Sequence, residues 1–253
     1  LKESNGNKPI EDPRHSVVEK KLGKVKRVIA IAGGKGGTGK SLVAATLAKS
    51  LSENGYKTGL LDLDLTGPSA HLILGESPGF PEEDNGVIPA NASGISFSSI
   101  IQYAGDSPSP LRGGDISNAI LEILAITRWG SLDFLIIDMP PGISDAMLDI
   151  IKLVRRCEFV MVATPSKVVV ETVRKNILLL QEIGVPILGI IENMTNMEPL
   201  NGTLKKSGIK LLGKVPYDRS IETAIGNPSR ILDTKFGQSM SEICSMIAGG
   251  KEK

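Results

Sequence analysis

The sequence predicts an α/β fold, a mostly parallel sheet covered by helices on both faces. Three observations carry that expectation. Short β-branched or apolar runs alternate with segments of helical period. The runs are continuously apolar rather than alternating, as strands buried on both faces are. The first run also passes into the first helical segment through a glycine-rich turn.

Residues 1–24 are polar and charged, hold Pro9 and Pro13, and show no apolar period, which predicts a loose leader. RVIAIA at 27–32 then reads as a strand, LVAATLAKSLSEN at 42–54 as a helix and TGLLDLD at 58–64 as a second strand. Residues 75–94, rich in glycine and proline, read as an irregular excursion. Further strands are expected over 95–101, 134–138, 159–164, 187–192 and 211–215, and helices over 116–126, 145–154, 168–183 and 236–247. One domain over 25–248 follows, with a short tail at 249–253.

Composition narrows the partners. The chain has 253 residues, and its 29 basic against 28 acidic side chains give a net charge of +1, no surplus with which to neutralise a nucleic-acid backbone. Apolar stretches such as 134–137 and 159–163 fall far short of the roughly 20 residues a spanning helix needs. The leader lacks the apolar core of a signal peptide and the two cysteines lie far apart, so a reducing, cytoplasmic setting is expected.

Gly34-Lys35-Gly36-Gly37-Thr38-Gly39-Lys40-Ser41 places two glycines five apart before Lys-Ser, between a strand and a helix. Glycines at this spacing let backbone N–H groups turn inward around phosphate oxygens, and the helix N-terminus adds positive potential. Lys40 is expected to reach the β- and γ-phosphates and Ser41 to ligate magnesium. The motif predicts ATP with Mg²⁺ and turns the fold expectation into a three-layer P-loop NTPase; its inert reading is a glycine-rich turn with a solvated lysine. Asp138, at the end of a buried strand and opening Asp138-Met139-Pro140-Pro141-Gly142, is a candidate to hold the metal. Asp62 and Asp64 end another strand two residues apart, on one face, and divide between metal and water.

These residues together resemble the deviant Walker-A ATPases of the MinD, ParA and nitrogenase-reductase superfamily, most closely the Mrp-type iron-sulfur carrier ATPases. The resemblance spans about 25–228. It rests on the loop, on Asp62-x-Asp64-x-x-Gly67-Pro68-Ser69, on Trp129-Gly130-Ser131-Leu132-Asp133, on the Asp138 turn, on Thr164-Pro165 and on Gly189-Ile190-Ile191-Glu192-Asn193-Met194. It implies an ATPase working as a nucleotide-sandwich homodimer, or a heterodimer with a paralogue, in which Lys35 reaches phosphate across the interface. It further implies that Asp64 orients the hydrolytic water, that Asp62 and Asp138 serve magnesium, and that Asn193 reads adenine with Pro216 and Asp218 beside the base. A strand-end turn former is the plainer reading of Asn193. Arg112 falls near a family Arg-Gly-Pro segment and reads equally as a surface arginine.

The departures are as informative. In the carriers a Cys-Pro-x-Cys pair follows the Glu-Asn-Met segment and ligates an iron-sulfur cluster; here residues 195–202 read TNMEPLNG. The soft ligands of such a cluster are missing from that stretch. Cys157 and Cys244 read as small core residues, Met194 and Met197 as packing, and His15 and His71 as non-catalytic. Leu42 replaces a threonine that contacts phosphate in the family. A maturation or assembly ATPase, client unknown, is therefore expected. A spatial organiser of the MinD or ParA kind, binding membrane or DNA, is the alternative. It is disfavoured because 239–247 carries Glu242 as its single charge. A small-molecule kinase on the same scaffold lacks any marked acceptor pocket.

Overall fold

The computed structural model describes residues 12–65, 67–76, 80–100, 102, 114–195 and 207–249. The strands are β1 (Val25–Gly33), β2 (Thr58–Asp62), β3 (Ala90–Ala92), β4 (Ile95–Ser99), β5 (Leu132–Asp138), β6 (Cys157–Ala163), β7 (Ile187–Thr195) and β8 (Leu211–Pro216). Among the described residues they form one sheet in the order β3-β4-β2-β5-β1-β6-β7-β8. All pairings are parallel except that of β3 with β4.

Side chains of β1 show why such strands read as unbroken apolar runs. Val28, Ala30 and Ala32 enter one core, and Ile29 and Ile31 enter the other. The first core is roofed by α1 (Arg14–Leu22), α4 (Gly114–Ile126), α5 (Asp145–Leu153) and α6 (Lys167–Glu182). The second is roofed by α2 (Lys40–Glu53), α3 (Ala70–Leu74), α7 (Ile221–Ala224), α8 (Pro228–Leu232) and α9 (Lys235–Ala248). The three expected layers are present. Helix α2 leaves β1 across one face and α5 and α6 cross the other, so the connections diverge at the carboxyl end of β1, where open α/β sheets form their ligand crevice.

The stripe Phe236, Met240, Ile243, Cys244 and Ile247 of α9 is buried against this second core. No described helix is long and apolar enough to cross a membrane.

Three expectations need correction. The leader is not uniformly loose: residues 14–22 form α1, with Val18 and Leu22 buried in the first core. Two apolar residues four apart suffice, because they share one face of a helix whose other side chains can stay in water. β2 stops at Asp62, so Asp64 is not its alternating partner on the strand. Within the expected excursion, Ala90–Ala92 pairs with β4 as an edge strand. The short helices α3, α7 and α8 also escape a sequence reading, since four or five residues cannot display a helical period.

Leu22→Ala should lower unfolding free energy by about 2–4 kcal/mol, measured by urea denaturation; a change near zero would return α1 to the status of a loose leader.

Candidate functional site

Gly33 ends β1 and Lys40 opens α2, with the glycine-rich turn between them. Gly37 and Gly39 hold φ of 77° and 79°, a region costly for other residues. Gly39 is required twice over, because a Cβ there would lie 2.3 Å from Nδ2 of Asn193. Gly34 is required by close approach: its Cβ would fall 2.9 Å from Cβ of Thr172 on α6. No side chain caps α2, so its first-turn N–H groups remain available to an anion.

Lys35, Gly36 and Gly37 are exposed, whereas Thr38 and Lys40 are buried. The Thr38 hydroxyl donates to the Lys35 carbonyl at 3.3 Å, and the Asn193 side-chain amide donates to the Thr38 carbonyl at 2.8 Å. Asn193 is itself buried and is followed by Met194 at φ 57°. In this conformation the amide braces the loop from β7. Sequence reasoning missed that role, although a short polar side chain at a strand end was its visible signal.

The carboxylates meet through strand register. In the parallel pairing of β2 with β5, Asp62 stands beside Asp138, and Asp138 is paired on its other side with Ile31 of β1, two residues before the strand ends. Asp62 and Asp138 are both fully buried. Lys40 Nζ lies 3.6 Å from Asp138 Oδ1. Among the described residues, neither oxygen of Asp138 accepts a hydrogen bond of good geometry. Burial pushes Asp138 up to about 6, opposed by the Lys40 ammonium and the nearby Ser41 hydroxyl. Burial, then the neighbouring Asp138, pushes Asp62 up to about 7.

Asp62 is engaged differently. Its oxygens accept backbone N–H groups of Asp64 at 3.0 Å, Ser69 at 3.2 Å and Ala70 at 3.1 Å, so it organises the turn into α3. Asp64 in turn accepts from the Gly67 N–H at 3.2 Å. A buried carboxylate with orphaned oxygens beside an ammonium and a hydroxyl suits a hard divalent cation, which prefers oxygen ligands. Among the described residues, no group of three His, Cys, Asp or Glu could hold a metal unaided.

Leu42 is half-buried against the core beneath α2. Pro216 is half-buried at the end of β8, in register with Thr195. Asp218 accepts from the Ser220 hydroxyl at 2.7 Å and the Ser220 N–H at 3.0 Å, and these bonds hold its carboxyl below the usual range. Cys157 and Cys244 are buried, and burial raises their thiols to about 12 and about 11, away from the thiolate form that binds metals. Arg112, Met197 and residues 196–202 of the cysteine-free stretch lie outside the described residues.

Residues 24–250 match the ParA family model described as NUBPL iron-transfer P-loop NTPase. The chain is 36% identical over 220 residues to an iron-sulfur cluster carrier protein of Aquifex aeolicus, covering 80% of this chain but only 60% of that protein's length. It is 33% identical over 249 residues to a cytosolic Fe-S cluster assembly factor Nubp2 homolog of Drosophila simulans, covering 89% of this chain and 96% of the relative. Its structure resembles the nucleotide-binding protein of Archaeoglobus fulgidus solved with ADP, with a TM-score of 0.72 at 28% identity over 90% of this chain and 92% of that one.

The carboxylate pair makes stability depend on pH. Its folded pKa values exceed the ordinary 3.8, so its contribution is fully present below about pH 4 and is lost as pH rises through about 6 to 7. Asp138→Asn, which cannot ionise, should flatten the fall in nucleotide-free stability between pH 5 and pH 8 by on the order of 2 kcal/mol. Urea titrations of both proteins across that range check it, and parallel curves would refute it.

Proposed function

The chain belongs to the family of NUBPL iron-transfer P-loop NTPases, and we propose that it is a magnesium-dependent ATPase, working as a nucleotide-gated dimer in the maturation or assembly of iron-sulfur proteins. One observation supports this reading above the others: buried Lys40, the uncapped start of α2 and the orphaned oxygens of Asp138 converge at the carboxyl edge of the sheet.

In this reading the N–H groups of residues 36–41 and the Lys40 ammonium hold the phosphates. Ser41 and Asp138 hold magnesium, with Asp62 behind them shaping the turn that carries Asp64. The cation, when bound, draws negative charge from the β- and γ-phosphates. Asp64 orients a water in line with the γ-phosphorus. The water oxygen bonds phosphorus, the bond to the β,γ-bridging oxygen breaks with its electron pair staying on ADP, and both of the water's protons leave with the product as dihydrogen phosphate. Lys35, exposed on the loop, is free to reach a second subunit. Asn193, Pro216 and Asp218 flank the adenine, which requires the Asn193 amide to leave the Thr38 carbonyl when nucleotide binds. Cargo transfer, if the segment following Thr195 carries it, uses ligands other than the cysteine pair of the carriers.

Lys40→Ala should abolish ATP binding or turnover, since the buried ammonium has no replacement, and Asp64→Ala should keep ATP binding while slowing hydrolysis at least a hundredfold. Lys35→Ala should leave monomer binding within about threefold but remove the ATP-dependent increase in mass. Phosphate release, equilibrium binding and sedimentation measure these; unchanged hydrolysis in both of the first two variants would falsify the mechanism. Anaerobic reconstitution with iron and sulfide assays tests the cargo separately.

A further inference from the structure

The edge of the sheet opposite the phosphate loop carries charge that the proposed chemistry does not use. Two cavities, of about 440 Å³ and about 530 Å³, lie there side by side and share Gly23 and Arg156. Lys24, Lys26, Arg27, Lys152, Arg155 and Arg156 line them, against the carboxylates of Glu19 and Asp133. The whole chain is only +1, so this face is strongly basic and the remaining surface is net acidic. β1 has its amino end here and its carboxyl end at the loop, about 26 Å away at strand rise.

Few of these cations are neutralised. Lys26 pairs with Asp133 at 2.6 Å and Arg27 with Glu158 at 2.8 Å. Arg156 donates to the carbonyl of Leu22. Lys24, Lys152 and Arg155 are exposed and form no ion pair among the described residues. The larger cavity also has an aromatic wall: Tyr56, partly open to solvent, packs edge-on at 5.1 Å against the buried Phe134 ring, whose face the Arg27 guanidinium covers 5.4 Å from its centre. Residues 1–11 hold two lysines and two glutamates and residues 250–253 two lysines and one glutamate, so neither stretch is an acidic complement to this face.

We propose that this face docks an acidic polypeptide segment of a partner protein, its carboxylates on Lys24, Lys152 and Arg155 and an apolar side chain against the exposed side of Tyr56. Concave cavities admit a chain that a flat lipid surface cannot enter. Glu19 and Asp133 within them oppose a continuous polyphosphate more than a peptide that can place neutral residues opposite them. The proposal is independent of nucleotide chemistry.

The probe is a short fluorescein-labelled peptide in which pairs of glutamates alternate with leucine, titrated with the full chain and followed by anisotropy. Binding should be saturable and weaken with salt. The double variant Lys24→Glu with Arg155→Glu should weaken it at least about tenfold, and Lys24→Gln with Arg155→Gln by a smaller factor. Lys175→Glu, exposed on α6, should leave it unchanged, and phosphate release should be the same in all. Absence of binding, or equal affinity in the parent and both double variants, overturns the proposal. So does preferential binding of single-stranded DNA or phosphatidylserine vesicles through the same residues, or a change in the free protein's mass on charge reversal, which would give the face to a second copy.

Discussion

Everything at the nucleotide edge depends on two carboxylates being held out of water side by side. Register alone brings Asp62 and Asp138 together, because the strands that carry them are parallel neighbours ending at the same level. Burying both is costly, and the arrangement persists because each has a different compensation. Asp62 spends its oxygens on backbone N–H groups and becomes the pivot of the turn into α3, while Asp138 keeps its oxygens open beside Lys40. The same residue type at matching strand ends therefore does two jobs, one architectural and one electrostatic.

That division sets how a ligand is felt beyond the crevice. Asp138 stands beside Asp62 in the β2–β5 register, and Asp62 is tied to Ser69 and Ala70 at the start of α3. α3 is joined in turn to the segment after α7 by the Gly226 N–H donating to the Ile73 carbonyl at 3.3 Å. This chain of contacts runs from the buried carboxylates through α3 to the segment after α7, through elements packed into one core.

Much of this was legible in the sequence, and the exceptions have physical causes. Strands buried on both faces announce themselves as unbroken apolar runs, so β1, β5 and β6 were found within a few residues. The glycine spacing marked the loop because only backbone can wrap a phosphate so closely. α1 was not found, since two apolar residues among many charges look like a solvated leader until the groove that receives them is known. Asp64 was misplaced for another reason: the sequence alternates through residue 64, but the Asp62 side chain captures the Asp64 N–H and turns the backbone out of the strand. Asn193 could be flagged as a strand-end polar residue, but not as a brace on Thr38, because that contact joins residues 155 positions apart.

Met194 carries a consequence of its own. A branch-free but bulky residue at φ 57° stores on the order of 1 kcal/mol of backbone strain. It sits directly after the amide that grips the phosphate loop. The strained backbone at Met194 and the hydrogen bond from Asn193 to Thr38 therefore belong to the same turn of chain. The two terms are of similar size and opposite sign. The brace on the phosphate loop is thus set against a locally costly backbone, and the net hold that β7 keeps on the loop is smaller than the Asn193 hydrogen bond alone would give.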